Sequence, residues 1–552
     1  MANRQGISTS EFPAANRPAA LGVNGMVTSA HPLASAAGLQ VLMEGGNAFD
    51  AAIATAAVLG VGEPYMSGMG GIGVALVYTA SDRQLRALNF SGRTPKAAEP
   101  SLFTEGKKDA GAMSPLIPGN VAGWLALHEA HGSMDRERLF RPAINYAEGG
   151  MPVTRLNART MANNASRLTK FPSGSIIVGP DGSTPSAGDR LRMPQLAESF
   201  KAMVKGGTEA FYRGGIAERI VRGVQAAGGL LTMDDMADYR VEWQDPVSIS
   251  YRDYKIFTTP PNSTGFQILQ TLKFMEGFSG NDLVFQSPET LHLMMESVKL
   301  AVTDRIRYGG DPNYLDIPIG GLLSNGYAAQ QRGRVDRSKA STVSGETFAA
   351  GVPTGSLMAG SPEAFDGGMT THFAVTDRDG NVVSVTQTLG GSFGSGFAPG
   401  DTGIFLNNMC HWFDLEEGSS NRIGPDKRVD FCVAPTQTFR NGQFYASMGT
   451  PGSWGILQTT PQFLMHLLDF GMNPQEAIEA PRFRYYGGVS VQMEERFPLY
   501  VRHAMEQKGH DVTVLEPWAM SVGGAQGFRL NPNSGTLEGG ADPRRDGLAV
   551  GW

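Results

Sequence analysis

Two threonines, Thr370 and Thr388, lie in the stretch GGMTTHFAVTDRDGNVVSVTQTL from Gly367 to Leu389. A threonine hydroxyl becomes a useful nucleophile only with a base or an orienting partner beside it. Asp379-Gly380, flanked by alternating apolar residues, is a strong hairpin signal. A two-residue loop at Asp379-Gly380 would pair Thr370 with Leu389. A three-residue loop with Gly380 in the left-handed position would pair Thr370 with Thr388. Only the second puts Phe373, Val375, Val383, Val385 and Leu389 on one face and Thr370, His372, Thr386 and Thr388 on the other. Because a one-residue slip mixes the faces, Thr388 is expected opposite Thr370, with Cβ atoms about 5 Å apart. Such a pair is also an ordinary stabilising contact, so the hairpin alone does not assign chemistry.

Other chemistries find little support. Cys410 and Cys432 are the only cysteines, too few for a disulfide framework or a cysteine-only zinc site. The nine histidines are scattered without an HExxH pattern, so no metal or cofactor is expected. Gly68, Gly70 and Gly73 satisfy GxGxxG, but a helix precedes them and a strand follows, the reverse of a dinucleotide fingerprint. Lys and Arg number 46 against 53 Asp and Glu, a net charge of −7, with no basic cluster; nucleic acid is not an expected partner. The N-terminal stretch has no apolar core of a signal peptide, and the run Ala51–Gly62 is too short to span a bilayer. A cytoplasmic protein without membrane contact is the expectation.

The elements that must position the hairpin follow from periodicity. Helices are expected at Pro32–Leu42, at an alanine-rich stretch to Leu59 capped by Asn47 and Asp50, and at Gly119–Ala130, Arg141–Glu148, Glu209–Ala227, Pro288–Arg305, Gln458–Leu468 and Pro474–Ala480. Strands are expected at Gly73–Tyr78, GIFLNN (403–408), APTQTF (434–439) and FYASMG (444–449). The Ser/Gly/Ala/Thr-rich segment from Leu322 to Asp366 reads as a long surface excursion. No linker divides the chain, and the class is layered α/β or α+β.

The stretch MTTHFAVTDRDGNVVSVTQTLGGSFGSG, with TGIFLNN, GTPGSWGILQTTPQFL, APRF and GGADPRRDGLAVGW, resembles the γ-glutamyltranspeptidase family of N-terminal nucleophile hydrolases. HPLASAAGLQVLMEGGNAFDAAIATAAVL, PGNVAGWLALHEAHGSM and HLMMESVKLAVTDR match the same family in the same order, from about Gly25 to Trp552. The resemblance implies an α+β fold, a four-layer αββα sandwich. It implies a precursor that cuts itself between Met369 and Thr370, giving fragments 1–369 and 370–552 that stay together as a heterodimer, possibly a dimer of heterodimers. Thr370 would then be the nucleophile with its own α-amine as base, since an α-amine titrates near 7.7–8.0. Thr388 would orient it, and the backbone N–H groups of Gly452 and Ser453, where the family usually has two glycines, would form the oxyanion hole. The flexible Gly367 and Gly368 suit a peptide bond that must bend into attack geometry. The substrate would be a small-molecule amide.

The chain departs from the family where the γ-glutamyl head is held. Met409 and Trp412 replace a glutamine and an aspartate, Phe431-Cys432 replace a serine pair, and Gly390 replaces an asparagine. Ser91 stands where the family has its carboxylate-binding arginine, and Arg93, two residues on, is a candidate to bind one substrate carboxylate, with Met409, Trp412, Phe431 and Cys432 as the other candidate substrate-binding residues. An α-ammonium facing Trp412 and Phe431 would be desolvated without a carboxylate partner, so a non-γ-glutamyl acyl group is expected, as in cephalosporin acylases or oxamate amidases. The alternatives are a γ-glutamyl hydrolase or transpeptidase acting on glutathione, and an unprocessed, non-enzymatic relative.

Overall fold

The structure, a computed structural model, describes residues 15–278, 283–341 and 368–552. Two seven-stranded antiparallel sheets face each other. The first runs, in spatial order, Leu548–Gly551, Met26–Ser29, Gly368–Thr376, Val382–Gly391, Ile72–Thr79, Gln84–Phe90 and Glu242–Gln244. The second runs Ala20–Gly22, Leu537–Ala541, Gln526–Leu530, Gln443–Gly449, Thr436–Arg440, Tyr254–Thr258 and Val247–Tyr251. Helices cover both outer faces. Ala48–Gly62 and Asn120–His131 lie on the first sheet; Phe266–Glu276, Ile456–Leu468 and Pro474–Glu479 lie on the second. This is the expected αββα sandwich. Each sheet combines strands from before and after Thr370.

The hairpin sits at the centre of the first sheet. Thr370 pairs with Thr388 and Thr376 with Val382, and the Asp377 N–H donates to the Asn381 carbonyl at 3.3 Å, closing a three-residue loop with Gly380 at φ 85°. Phe373, Val375, Val383, Val385 and Leu389 share one core with the helix layer, as the alternation predicts.

The helix Ala48–Gly62 spans the length of this hairpin. Asn47 and Asp50 form its capping box, and every residue in it is buried, which small alanine side chains permit against both neighbours. The Ala48 N–H donates to the Asp377 carboxylate in the hairpin loop at 2.9 Å. At the other end Glu63 receives the Thr371 hydroxyl at 3.0 Å. A helix rising 1.5 Å per residue from 48 to 63 and a strand rising about 3.4 Å per residue from 371 to 377 both cover about 20 Å, so the two elements are fastened at both ends in matched register.

Three expectations change. The helix expected over Glu209–Ala227 is two, Pro194–Tyr212 and Gly215–Ala226, separated at Gly214, which takes an extended conformation. GIFLNN is an irregular extended segment whose Leu406 bridges Gly70, because its hydrogen bonds go to loops rather than to a ladder. The long excursion from Leu322 begins with a helix, Asn325–Arg332; residues 342–367, with Gly367, lie outside the described residues, as does the N-terminal stretch read for a leader. No helix among the described residues is long and apolar enough to cross a membrane.

Candidate active site

The bond between Met369 and Thr370 lies inside a strand, at an irregularity. Met369 opposes Gly390 and Thr370 opposes Thr388, so Leu389 is left over as a β-bulge at this step. Bulges re-aim side chains and interrupt pairing. Here the Thr370 hydroxyl donates to the Thr388 hydroxyl at 3.4 Å, and the Thr388 hydroxyl donates to the Met369 carbonyl at 2.5 Å. The Gly390 N–H donates to the same Thr388 oxygen at 2.8 Å. Both threonines are buried. One hydroxyl therefore touches both the Thr370 oxygen and the carbonyl of the bond preceding it.

Gly452 and Ser453 face this segment. Ser453 opens a single 3₁₀ turn that runs into the helix Ile456–Leu468, and the first amides of a helix have no intrahelical acceptor and sit at the positive end of its dipole. Ser453 adopts φ 57°, the left-handed region a glycine would take without strain. A Cβ built on Gly368 would lie 2.7 Å from the Ser453 Cβ and 3.1 Å from the Trp412 ring, so only glycine allows the chain before Thr370 to pass between them.

The other predicted binding residues divide by depth. Trp412 lines a cleft of about 410 Å³ together with Gly368, Met369, Asn408 and His411. Its indole packs against Trp454, centroids 5.1 Å apart, and the guanidinium of Arg305 lies 3.8 Å over the other ring. Met409, Phe431 and Cys432 are fully buried behind it in the hydrophobic core and do not line the cleft. Burial pushes the Cys432 thiol up, and the Cys410 thiol up to about 12. Gly390 has φ 96°, and a Cβ there would fall 2.3 Å from Asn408 Oδ1 and 3.0 Å from the Met409 sulfur, so the glycine and the methionine fill one space between them. Arg93 does not line the cleft either. Its guanidinium donates to the Asp426 carbonyl at 2.9 Å and to Glu242 at 3.4 Å, while Ser91 donates to Asn262 at 3.3 Å.

Several groups escaped the sequence reading. Arg545 donates to the Thr370 carbonyl at 3.3 Å, and Glu63 accepts from Thr371 at 3.0 Å. Burial raises the Glu63 carboxyl to about 7, against the opposing pull of Arg545. Both residues carry a signal: Glu63 is a lone carboxylate ending an apolar helix, and Arg545 belongs to the closing ADPRRDG. Beneath Trp454, Arg305 meets Asp430 at 3.5 Å, and burial raises Asp430 to about 6. Away from the cleft, His292, Glu296 and His510 offer ligand atoms within 4.8 Å of one another, a grouping that no short motif could show. Within it Glu296 is engaged by Lys299 at 2.7 Å and by Ser341, His292 Nε2 by the Asp336 carbonyl at 2.7 Å, and His292 Nδ1 by His510 Nε2 at 2.9 Å.

A sandwich with a threonine on a central strand, facing a partner hydroxyl and a helix-terminal loop, is that of an N-terminal nucleophile hydrolase. The family description Gamma-glutamyltranspeptidase matches residues 34–552, and the chain belongs to that family. The glutathione hydrolase-like YwrD proenzyme of Bacillus subtilis (strain 168) is 35% identical, over 96% of this chain and 99% of its own. The acylase ACY 1 proenzyme of Pseudomonas sp. (strain SE83) is 34% identical over 98% and 95%. Among solved structures, the cephalosporin acylase from Bacillus halodurans superposes with a TM-score of 0.89 at 32% identity, covering 100% of this chain and 99% of that one. The family and these neighbours are hydrolases and transpeptidases, and several of the relatives are proenzymes.

Proposed function

We propose that the chain is an autoprocessed amidohydrolase that cuts itself between Met369 and Thr370 and then cleaves an amide through an acyl-Thr370 ester. The observation that carries the reading is the hydroxyl chain from Thr370 through Thr388 to the Met369 carbonyl, 3.4 and 2.5 Å long in its two steps. In the first reaction the Thr370 oxygen attacks the Met369 carbonyl carbon. The Thr370 nitrogen takes up the proton and leaves as an amine, and water opens the ester to free the Met369 carboxylate. Thr388 polarises the carbonyl under attack throughout.

The same groups then serve an external amide. The new α-amine, with a pKa near 7.7–8.0, accepts the Thr370 hydroxyl proton as the oxygen attacks. The N–H groups of Gly452 and Ser453 hold the oxyanion; the leaving amine takes the proton, and water releases the acid. Trp412 in the cleft supports a non-γ-glutamyl acyl group, since the indole offers no carboxylate to a substrate ammonium and the one carboxylate among the lining residues, Asp109, is already paired with Arg167. The acylases among the relatives support it too.

Intact mass of wild type and Thr370→Ala under denaturing conditions tests the first reaction. Fragments ending at Met369 and beginning at Thr370, with an uncut variant, are expected; a single wild-type species would overturn the proposal. A γ-glutamyl anilide compared with plain acyl anilides, with and without a dipeptide acceptor, tests the second. Strong turnover of the γ-glutamyl compound, raised by the acceptor, would favour glutathione chemistry instead.

A further inference from the structure

One face of the helix Arg155–Leu168 contributes to the lining of the cleft. Arg159, Asn163 and Arg167 follow one another at one-turn spacing along it, and all three line the cleft. Their states differ. Arg167 is paired: it grips the Asp109 carboxylate at 3.0 and 3.2 Å, and its second nitrogen donates to the Asp109 and Gly394 carbonyls at 2.9 and 2.7 Å. His411 also lies beside Asp109, and burial lowers its pKa, so the ring stays neutral to a pH below its ordinary range. Asp109 is therefore already answered by a cation. Arg159 has no hydrogen-bond or ion-pair partner among the described residues, and it is exposed. Asn163, one turn on, is equally exposed. The cleft lining thus combines the apolar side chains of Met369 and Trp412 with one positive charge unpaired among the described residues and an amide one turn from it.

We infer that Arg159, helped by Asn163, is a specificity subsite for an anionic group, a carboxylate, carried by the substrate at a distance from the amide that is cut. An arginine holds a carboxylate with two parallel N–H donors. The subsite lies on a different element from the loop of Ser91 and Arg93. The inference rests on the proposed amide cleavage. The carboxylate is carried either by the acyl half or by the amine half, and the two give the same chemistry at Arg159.

The test compares the processed wild type with Arg159→Gln and Arg159→Lys on matched pairs. Adipyl and hexanoyl p-nitroanilides differ by a carboxylate on the acyl half; hexanoyl amides of 4-aminobenzoate and aniline differ by one on the amine half. The expected result is a loss of about fivefold or more in kcat/KM for one carboxylated member in Arg159→Gln, expressed in KM. The neutral members and the rate of self-cleavage should be unchanged, and Arg159→Lys should recover part of the loss. Which pair responds identifies the half. Equal effects on charged and neutral members, or none, overturn the subsite. If the wild type is cut yet cleaves none of these amides, the reading as an amide hydrolase of this kind fails by itself. Calorimetric titration with adipate then decides the subsite: weaker binding to Arg159→Gln supports it, and equal binding overturns it.

Discussion

The Thr388 hydroxyl donates to the Met369 carbonyl at 2.5 Å while accepting from the Thr370 hydroxyl at 3.4 Å. Deleting it removes a donor aimed at the oxygen on which charge develops. Thr388→Ala should slow the appearance of the two fragments by about 10²- to 10³-fold, whereas Thr388→Ser should cut at close to the wild-type rate. A time course by denaturing electrophoresis checks both, and fast cutting by Thr388→Ala would remove this residue from the chemistry.

Ser453 separates a backbone role from a side-chain role. Its φ of 57° suits glycine, and leaving that region relieves about 1 kcal/mol. Ser453→Gly should keep the activity against an acyl anilide. Ser453→Pro lacks the N–H and is locked near φ −65°, and should lose it. Circular dichroism of each protein distinguishes a lost donor from a lost fold.

Restoring the asparagine of the family at position 390 should be harmful taken alone. With φ at 96° and Asn408 Oδ1 2.3 Å from any Cβ, Gly390→Asn should lower the unfolding free energy by about 1–3 kcal/mol. Urea unfolding of the uncut Thr370→Ala background measures this; an unchanged midpoint would mean that Asn408 and Met409 shift freely.

Glu63 gives stability a pH dependence. Its carboxyl is raised from 4.5 to about 7 in the folded protein, so the folded state holds a proton that the unfolded state releases between these values. Stability therefore falls as pH rises through that window, by roughly 3 kcal/mol for this group alone. Glu63→Gln should flatten that fall, seen as a smaller difference in urea midpoint between pH 4.5 and pH 8. An identical slope in both proteins would place the ionisation elsewhere.

How far the sequence carried depended on distance along the chain. The pairing of Thr370 with Thr388 was legible because a two-residue period allows only one register with clean faces. The helix Ala48–Gly62 was legible from Asn47 and Asp50. The bulge at Met369 was not, because it depends on Gly390 taking a positive φ beside Asn408. The contacts of Arg545 with the Thr370 carbonyl and of Glu63 with Thr371 were also hidden, since each joins segments far apart in the chain. Met409, Phe431 and Cys432 were read as surfaces for a substrate; the structure buries them behind Trp412, where they shape the cleft wall through packing. Hydrophobic type marks such residues, but only coordinates tell a lining from a backing.

The hairpin Gly368–Gly391 is flanked in its sheet by Met26–Ser29 on one side and Ile72–Thr79 on the other, both from the region upstream of the cut. A cut at Thr370 would leave this arrangement intact while removing the covalent thread that assembled it. Refolding after denaturation would then need two separate chains to find each other, and its yield would fall with dilution. On the proposed self-cleavage the uncut polypeptide would act as a single-use assembly jig: the finished enzyme would inherit an architecture that it could no longer rebuild at low concentration, and its lifetime would be set by how slowly it unfolds.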